Sequence, residues 1–204
     1  NFIKAAVDRF GTIDIIVNNA GYAWDAIIQK MTDEQFQARM DVHVTAPFRI
    51  LRAASEVIRP AAKAENEAGT PVHRKVVNIS SISGLYGNPG QIAYSSAKAA
   101  LIGMTRTMCK EWGRYNVNVN CVTFGFIKTR MTGELGSPET KAQIGDREIT
   151  MGIHPDMAKG MESIIPLGRG ATPEEAADAV YLFCIPESNY ISGQIVLAGG
   201  GLII

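Results

Sequence analysis

The sequence predicts an α/β protein in which a Rossmann-like, doubly wound parallel sheet lies between two layers of helices. Short apolar segments alternate along the chain with segments whose apolar residues recur at helical spacing. The first of these short segments, residues 13–17 (IDIIV), is almost wholly apolar, which is typical of a parallel strand buried on both faces. Strands that alternate with helices form a three-layer domain. Since the chain has 204 residues, we expect a single domain over residues 1–204.

The composition excludes several classes of partner and site. The 20 Lys and Arg residues equal the 20 Asp and Glu residues in number, so charge gives no argument for nucleic acid or an anionic membrane. No apolar run approaches the roughly 18 residues of a membrane span. The cysteines at 109, 121 and 184 form no CxxC pair, and no His or Asp cluster has metal-ligand spacing. We therefore expect reduced thiols, no metal site and a cytoplasmic protein.

The first elements are predicted from local signals. Residues 1–10 have helical spacing, and Gly11 is a candidate C-terminal cap. The strand at residues 13–17 ends in NNAG at residues 18–21. Small residues there allow a ligand to approach the backbone, and the amides can tie neighbouring strand ends together. The alternative is a simple polar turn.

A long helix and a second buried strand should follow. The sequence TDEQ at residues 32–35 is a capping box, and it predicts a helix over residues 33–59 that Pro47 kinks or locally opens. A polar loop at residues 64–73 then leads to a strand at residues 75–79.

The second half continues the alternation around one irregular stretch. We expect a helix over residues 94–115 and a strand over residues 117–122. Residues 128–166 are rich in Met, Gly and charge, and an excursion of this length favours a substrate lid over an ordinary surface insertion, the alternative. A helix over residues 172–184 and a strand over residues 195–197 complete the chain.

Tyr94, Lys98 and Ser81 are the candidate catalytic residues. Tyr94 and Lys98 are four apart on a predicted helix, so they lie on one face. An ammonium near a phenol lowers the phenol's pKa, and a shift from about 10 to about 7 needs about 4 kcal/mol, which a lysine with a second nearby cation can supply. Ser81 lies in the preceding turn, within reach of the same pocket. Together they predict a proton donor (Tyr94), a cation that lowers the pKa of this donor (Lys98) and a hydrogen-bond donor for a carbonyl oxygen (Ser81).

Five motifs in register resemble the short-chain dehydrogenase/reductase family, in its ketoacyl-reductase-like branch. Each motif alone is weak, but an offset of 13 residues between the serine and the tyrosine (94 − 81), together with the other motifs, argues against coincidence. The resemblance covers essentially the whole chain. The motifs are NNAG at residues 18–21, Ser81 in ISSISG, Tyr94 with Lys98, the turn Gly125-Phe126-Ile127-x-Thr129, and Ser192-Gly193-Gln194 before terminal glycines.

The resemblance implies hydride transfer between a nicotinamide cofactor, NAD or NADP, and a small-molecule ketone or alcohol, such as a 3-ketoacyl group. Tyr94 would be the general acid in reduction and the base in oxidation. Lys98 would lower the pKa of Tyr94 and hold the hydroxyls of the nicotinamide ribose, while Ser81 would polarise the substrate oxygen. The resemblance also implies a homotetramer joined through the helices near residues 33–59 and 94–115. The further implied cofactor contacts are Asn19, Ala20 and Gly21 on the adenosine side, and Gly125, Ile127 and Thr129 on the nicotinamide side.

Three positions depart from the family pattern. The fourth catalytic residue is usually an Asn five residues before a Phe, and here that place, counted back from Phe48, holds His43. His43 either takes part in a proton relay or is a helix histidine whose hydrogen-bonding groups are satisfied by the surrounding protein. Phe124 replaces a usual proline and could reshape the nicotinamide side of the pocket, and Ala198 replaces a common aspartate with a change in local packing.

The family's glycine-rich TGxxxGxG loop and its first strands have no counterpart in this sequence. At roughly 30 residues per βαβ unit, roughly 80 residues are absent, so we expect the chain to be a fragment. That segment carries the choice between NAD and NADP. A non-catalytic binding or scaffold protein that has lost dinucleotide binding is the main alternative. An epimerase or dehydratase is a weaker one, since those relatives carry a larger C-terminal substrate region.

Overall fold

The computed structural model describes residues 2–144 and 147–202. Helices and strands alternate along most of the chain, as the sequence predicts. The strands are β1 Ile15–Asn18, β2 Arg74–Ser81, β3 Val117–Phe124, β4 Lys141–Ile144, β5 Arg147–Thr150 and β6 Ile195–Ala198. The α-helices are α1 Phe2–Phe10, α2 Asp33–Met40, α3 Ala46–Glu67, α4 Ile82–Tyr86, α5 Ile92–Trp112, α6 Pro155–Ile164 and α7 Pro173–Tyr181.

The central sheet is parallel and has helices on both faces. Its strand order is β1-β2-β3-β6, and every pair in it is parallel. Val76 of β2 packs in a cluster with α1, α3 and α5, while its neighbour Val77 packs in a second cluster with Phe183 and residues of α7. Since consecutive strand residues point to opposite faces, these clusters are the two sides of one sheet. The predicted Rossmann-like, three-layer α/β class is confirmed.

The helix predicted over residues 33–59 is interrupted in the structure. The predicted capping box is present, with Thr32 accepting from the Gln35 N–H. After α2 a π-helical turn spans Asp41–Thr45, and α3 begins directly behind it with Pro47 in its first turn. Proline fits there because the first-turn N–H groups have no partner within the helix. The opening expected near Pro47 is therefore present as a π turn, a feature common at functional sites.

The predicted burial of the first strand and the predicted start of the polar loop are wrong. The strand at residues 13–17 was expected to be buried on both faces, but Ile15 is 51% and Val17 is 42% exposed. These residues lie on β1, which pairs within the described sheet only with β2. The polar loop expected from residue 64 begins later, because α3 continues to Glu67. Glu65 in this last stretch forms a bidentate ion pair with Arg74, at 2.7 and 2.8 Å.

Residues 128–166, which we expected to be irregular, contain regular structure in their described part. The strands β4 and β5 form an antiparallel hairpin, and α6 follows it. Ala142, Ile149 and Met151 form a small apolar cluster against the loop that follows β1, at Tyr22 and Trp24. The segment is therefore anchored beside that loop. Its role as a lid stays a prediction.

Candidate active site

Ser81 lies at the carboxyl end of a central strand. It is the last residue of β2 and also the N-cap of α4, where its Oγ accepts from the Ser83 N–H at 3.2 Å. We expected this strand to end at residue 79 and Ser81 to lie in a turn, so the strand continues two residues further than expected. The carboxyl edge of a parallel sheet is where ligands bind in open α/β folds.

Tyr94 and Lys98 lie on α5 beside Ser81. The Lys98 Nζ is 5.6 Å from the centroid of the Tyr94 ring. The Ser81 hydroxyl is also close enough to act on the Tyr94 phenol. The structure therefore brings the three predicted catalytic residues together.

Close packing of α4 on α5 fixes the position of Lys98. A Cβ at Gly84 would lie 2.8 Å from the Lys98 backbone carbon, so only glycine fits there. The Ser80 Oγ donates to the Lys98 carbonyl at 2.8 Å, and the Lys98 Nζ donates to the Ile79 carbonyl at 2.7 Å. Both contacts tie α5 to β2 at the site.

The ionisation of Tyr94 differs from the expectation. We expected Lys98 to lower the pKa of Tyr94, but burial raises it above the usual value. The hydrogen bond with Ser81 opposes this rise, Asp25 adds to it and Arg39 opposes it. Burial also lowers the pKa of Lys98 to about 8. Loss of hydration is the dominant effect on both groups, because each charged form is disfavoured away from water.

His43 lies in the π turn and contacts Tyr94 directly. The two rings meet edge to face with their centroids 5.4 Å apart. Burial, followed by the charges of Lys98 and Arg39, lowers the pKa of His43 to about 3, so the imidazole is neutral at pH 7. Its Nε2 lies 3.4 Å from the Tyr22 carbonyl, and its Nδ1 has no hydrogen-bond partner among the described residues. Both interpretations of His43 stay open, and the ring lies at the predicted site.

Asn19, Ala20 and Gly21 lie exposed after the carboxyl end of β1. A Cβ at Gly21 would lie 2.4 Å from Cε1 of His43. The close approach of this imidazole, rather than that of a ligand, therefore accounts for a glycine at this position. The expected amide tie between strand ends is present, since Asn18 Nδ2 donates to Asn78 Oδ1 at 2.8 Å. Cofactor contact by Asn19, Ala20 and Gly21 stays a prediction.

Gly125, Ile127 and Thr129 follow the carboxyl end of β3. A Cβ at Gly125 would lie 2.8 Å from the Gly199 Cα, so close backbone packing requires the glycine. The Ile127 carbonyl accepts from Thr132 Oγ1, and the Thr129 hydroxyl caps a short 3₁₀ helix by accepting from the Met131 N–H at 3.2 Å. The three residues lie at the predicted edge of the sheet, and their contacts with a nicotinamide stay predictions.

A cavity adjoins this second group of residues. It has a volume of about 1010 Å³ and lies between the carboxyl end of β3 and the segment of residues 128–166. Its lining includes Phe126, Thr129, Ile153 and Ala158, together with the ion pair of Lys128 and Glu162 at 2.7 Å. It is large enough for a small organic ligand.

Arg39 was not predicted from the sequence to lie at the site. This residue of α2 has no exposed side-chain surface, and its Cζ lies 5.9 Å from the centroid of the Tyr94 ring. Its Nη2 contacts Asp25 Oδ1 at 3.2 Å, and its Nη1 donates to the Tyr22 carbonyl. Arg39 is one helical turn from His43, which is the signal that could have identified it.

Metal-binding clusters and membrane-spanning helices are both absent from the described residues. Within residues 2–144 and 147–202, no group of three or more His, Cys, Asp or Glu side chains could hold a metal ion. No helix in the same part of the chain combines the length and apolar character needed to cross a membrane.

Comparisons with known proteins give relatives over nearly the entire chain. A sequence model described as short chain dehydrogenase matches residues 1–140. The 3-oxoacyl-(acyl-carrier-protein) reductase of Thermotoga maritima is 38% identical over 202 residues, which cover 99% of this chain and 71% of that relative. The reductase of the same name from Chlamydia muridarum is 36% identical over 206 residues, covering 99% and 72%. Nodulation protein G of Rhizobium sp. is 33% identical over 199 residues, covering 98% and 69%.

Proposed function

The chain belongs to the short-chain dehydrogenase/reductase family, and from that premise we propose that it interconverts a carbonyl and an alcohol by NAD(P)-dependent hydride transfer. The observation that carries the proposal is the convergence of Ser81, Tyr94 and Lys98 at the carboxyl end of β2. The Lys98 Nζ lies 5.6 Å from the centroid of the Tyr94 ring, and the Ser81 hydroxyl acts on the Tyr94 phenol. The names of the similar reductases support a 3-ketoacyl group or another ketone as the substrate.

Each of the three residues has a proposed part in the proton transfer. The Ser81 hydroxyl polarises the substrate oxygen. Tyr94 gives its proton to that oxygen in reduction and takes it back in oxidation. Lys98 stabilises the phenolate that reduction leaves behind. His43 is either a relay for this proton or a packing partner of Tyr94.

The described residues fit a nicotinamide cofactor. An ammonium has three protons, and the hydrogen bond described for Lys98 Nζ goes to Ile79, so this group can also hold ribose hydroxyls. The cofactor supplies or accepts the hydride when bound. The further proposed cofactor contacts are Asn19, Ala20, Gly21, Gly125, Ile127 and Thr129. Both NAD and NADP are compatible with these residues.

We also propose a lid, an oligomeric state and a compartment for the protein. Residues 128–166 are proposed to close over the cavity beside β3. A homotetramer is proposed through α2–α3 and α5, and the 50% exposure of Phe48 on α3 supports an apolar contact there. The expected reduced state of the thiols favours the cytoplasm as the compartment.

A panel of ketones and alcohols, assayed with both NAD(H) and NADP(H), tests the proposed function on the intact natural protein. We expect cofactor-dependent turnover of at least one carbonyl–alcohol pair, followed by the change in cofactor absorbance. Cofactor binding without turnover across the panel, or no binding at all, would contradict the proposal and favour the scaffold alternative.

A further inference from the structure

Tyr94 faces two buried cations that come from different helices. Lys98 on α5 lies 5.6 Å from the centroid of the Tyr94 ring, and Arg39 on α2 lies 5.9 Å from it. Both side chains are almost fully withdrawn from solvent, with Lys98 at 4% and Arg39 at 0% exposure. Charges at such distances interact more strongly in the interior than at the surface, because less solvent screens them.

The charge of Arg39 is only partly balanced by its own contacts. Asp25 is its described ion-pair partner, at 3.2 Å, and the Asp25 side chain is 28% exposed. Solvent therefore screens the carboxylate more than the guanidinium. The Arg39 Nε has no hydrogen-bond partner in the described part of the chain, so the positive charge is not spread over a full set of acceptors. A guanidinium keeps its proton at this degree of burial.

Arg39 and Lys98 are the cations that lie against the Tyr94 ring in the described part of the chain. His43 from the π turn is neutral at pH 7, since the pKa of its imidazole is lowered to about 3. Ser81 from β2 carries no charge. Asp25 from the loop after β1 is an anion that acts on Tyr94, and it acts against Arg39.

We propose that Arg39 is a positioning residue for the proton transfer, which stabilises the anionic form of Tyr94 together with Lys98, while Asp25 limits this effect. When Tyr94 gives its proton to a substrate oxygen, the Oη–H bond breaks and the negative charge stays on the phenolate oxygen. Arg39 and Lys98 then both face an anion. This consequence for turnover rests on the proposed function, whereas the ionisation of Tyr94 can be measured without any substrate.

A titration of Tyr94 by NMR tests the proposal. The intact protein is labelled with carbon-13 at the tyrosine Cζ, and the resonance that disappears in Tyr94→Phe is assigned to Tyr94. Replacement of Arg39 with Met should raise the titration midpoint of this resonance by about one pH unit, because an opposite charge at this distance is lost. Arg39→Lys keeps the charge and should hold the midpoint within about half a unit.

Asp25→Asn is the decisive companion variant, because it breaks the same ion pair with the opposite electrostatic effect. We expect it to lower the Tyr94 midpoint, since Arg39 then acts unopposed. If Arg39 serves only to hold the loop after β1, both variants break the same contact and shift the midpoint in the same direction or not at all. Either of those results overturns the proposal. If Arg39→Met does not fold, as judged by circular dichroism, Asp25→Asn still decides the question by the sign of its shift.

The proposed function and the proposed role of Arg39 can be contradicted independently of each other. If the midpoints move in opposite directions but no cofactor-dependent turnover is found, the charge effect stands and the proposed function is wrong. If turnover is found but the midpoints do not respond as expected, the proposed function stands and the role of Arg39 is wrong.

Discussion

At Tyr94, burial and neighbouring charges act on the same phenol in opposite directions. Burial raises its pKa, the hydrogen bond with Ser81 lowers it, Asp25 raises it and Arg39 lowers it. The lysine four residues away holds its amine against the Ile79 carbonyl at 2.7 Å. The acidity of Tyr94 is therefore set by burial and by side chains from several elements, which the four-residue spacing of Tyr94 and Lys98 does not describe.

His43 should make the folded protein sensitive to mild acid. Its folded-state pKa of about 3 lies below the ordinary value of 6.5, so the unfolded chain binds more protons between these two pH values. Stability should therefore fall as the pH drops through this window, by about 2 kcal/mol from this residue between pH 7 and pH 5. We predict that His43→Asn removes this loss, as measured by urea unfolding at both pH values.

An exposed histidine provides the control for that prediction. His154, whose side chain is 68% exposed, precedes α6, and His154→Asn should keep the wild-type loss of stability at pH 5. An equal loss in the wild type and in His43→Asn would show that His43 is not the group that resists protonation.

Among the elements, α4 has the most direct effect on the site. This short helix follows β2 without a loop, and its Gly84 lies against the backbone of Lys98. The close contact lets α5 present Tyr94 and Lys98 beside Ser81. The absence of a side chain at Gly84 therefore helps to set the distances between the three proposed catalytic residues.

Gly84→Ala should destabilise the protein by about 1–3 kcal/mol, because the added Cβ would overpack the contact between α4 and α5. It should also lower turnover, since Lys98 must shift. Gly103→Ala is the matched control on α5, where an added Cβ meets no atom within 4 Å. This variant should stabilise the helix by about 0.5–1 kcal/mol. Urea unfolding of both variants checks the prediction, and equal stabilities would contradict it.

Local signals predicted some elements well. The capping box at Thr32 and the helix start predicted at residue 172 depend on contacts between neighbouring residues, and both are present. The neighbourhood of Tyr94 and Lys98 also follows from helical spacing. Features that depend on distant residues could not be predicted in this way. The burial of Arg39 beside Tyr94 requires α2 and α5 to pack together, which no local pattern specifies.

On the scale of the whole molecule, the parallel sheet gathers the proposed site at one edge. Asn18 on β1 is tied to Asn78 on β2, which donates to Thr105 on α5 at 2.9 Å. Ser81 and the Gly125 turn then leave the sheet on the same side as the loop after β1. The predicted fold class was sufficient to place these residues near one another. It was not sufficient to predict the hairpin of β4 and β5, whose apolar contacts are made with Tyr22 and Trp24.

The most direct test of the account is the turnover of Tyr94→Phe in the intact natural protein, measured together with its cofactor affinity. The phenylalanine ring keeps the packing against His43 but has no proton to transfer. We predict that kcat falls by about 10²–10⁴-fold while the Kd of the nicotinamide cofactor changes little. Tyr181→Phe, at a site that is 64% exposed on α7, should retain wild-type turnover. Wild-type kcat in Tyr94→Phe would contradict the account.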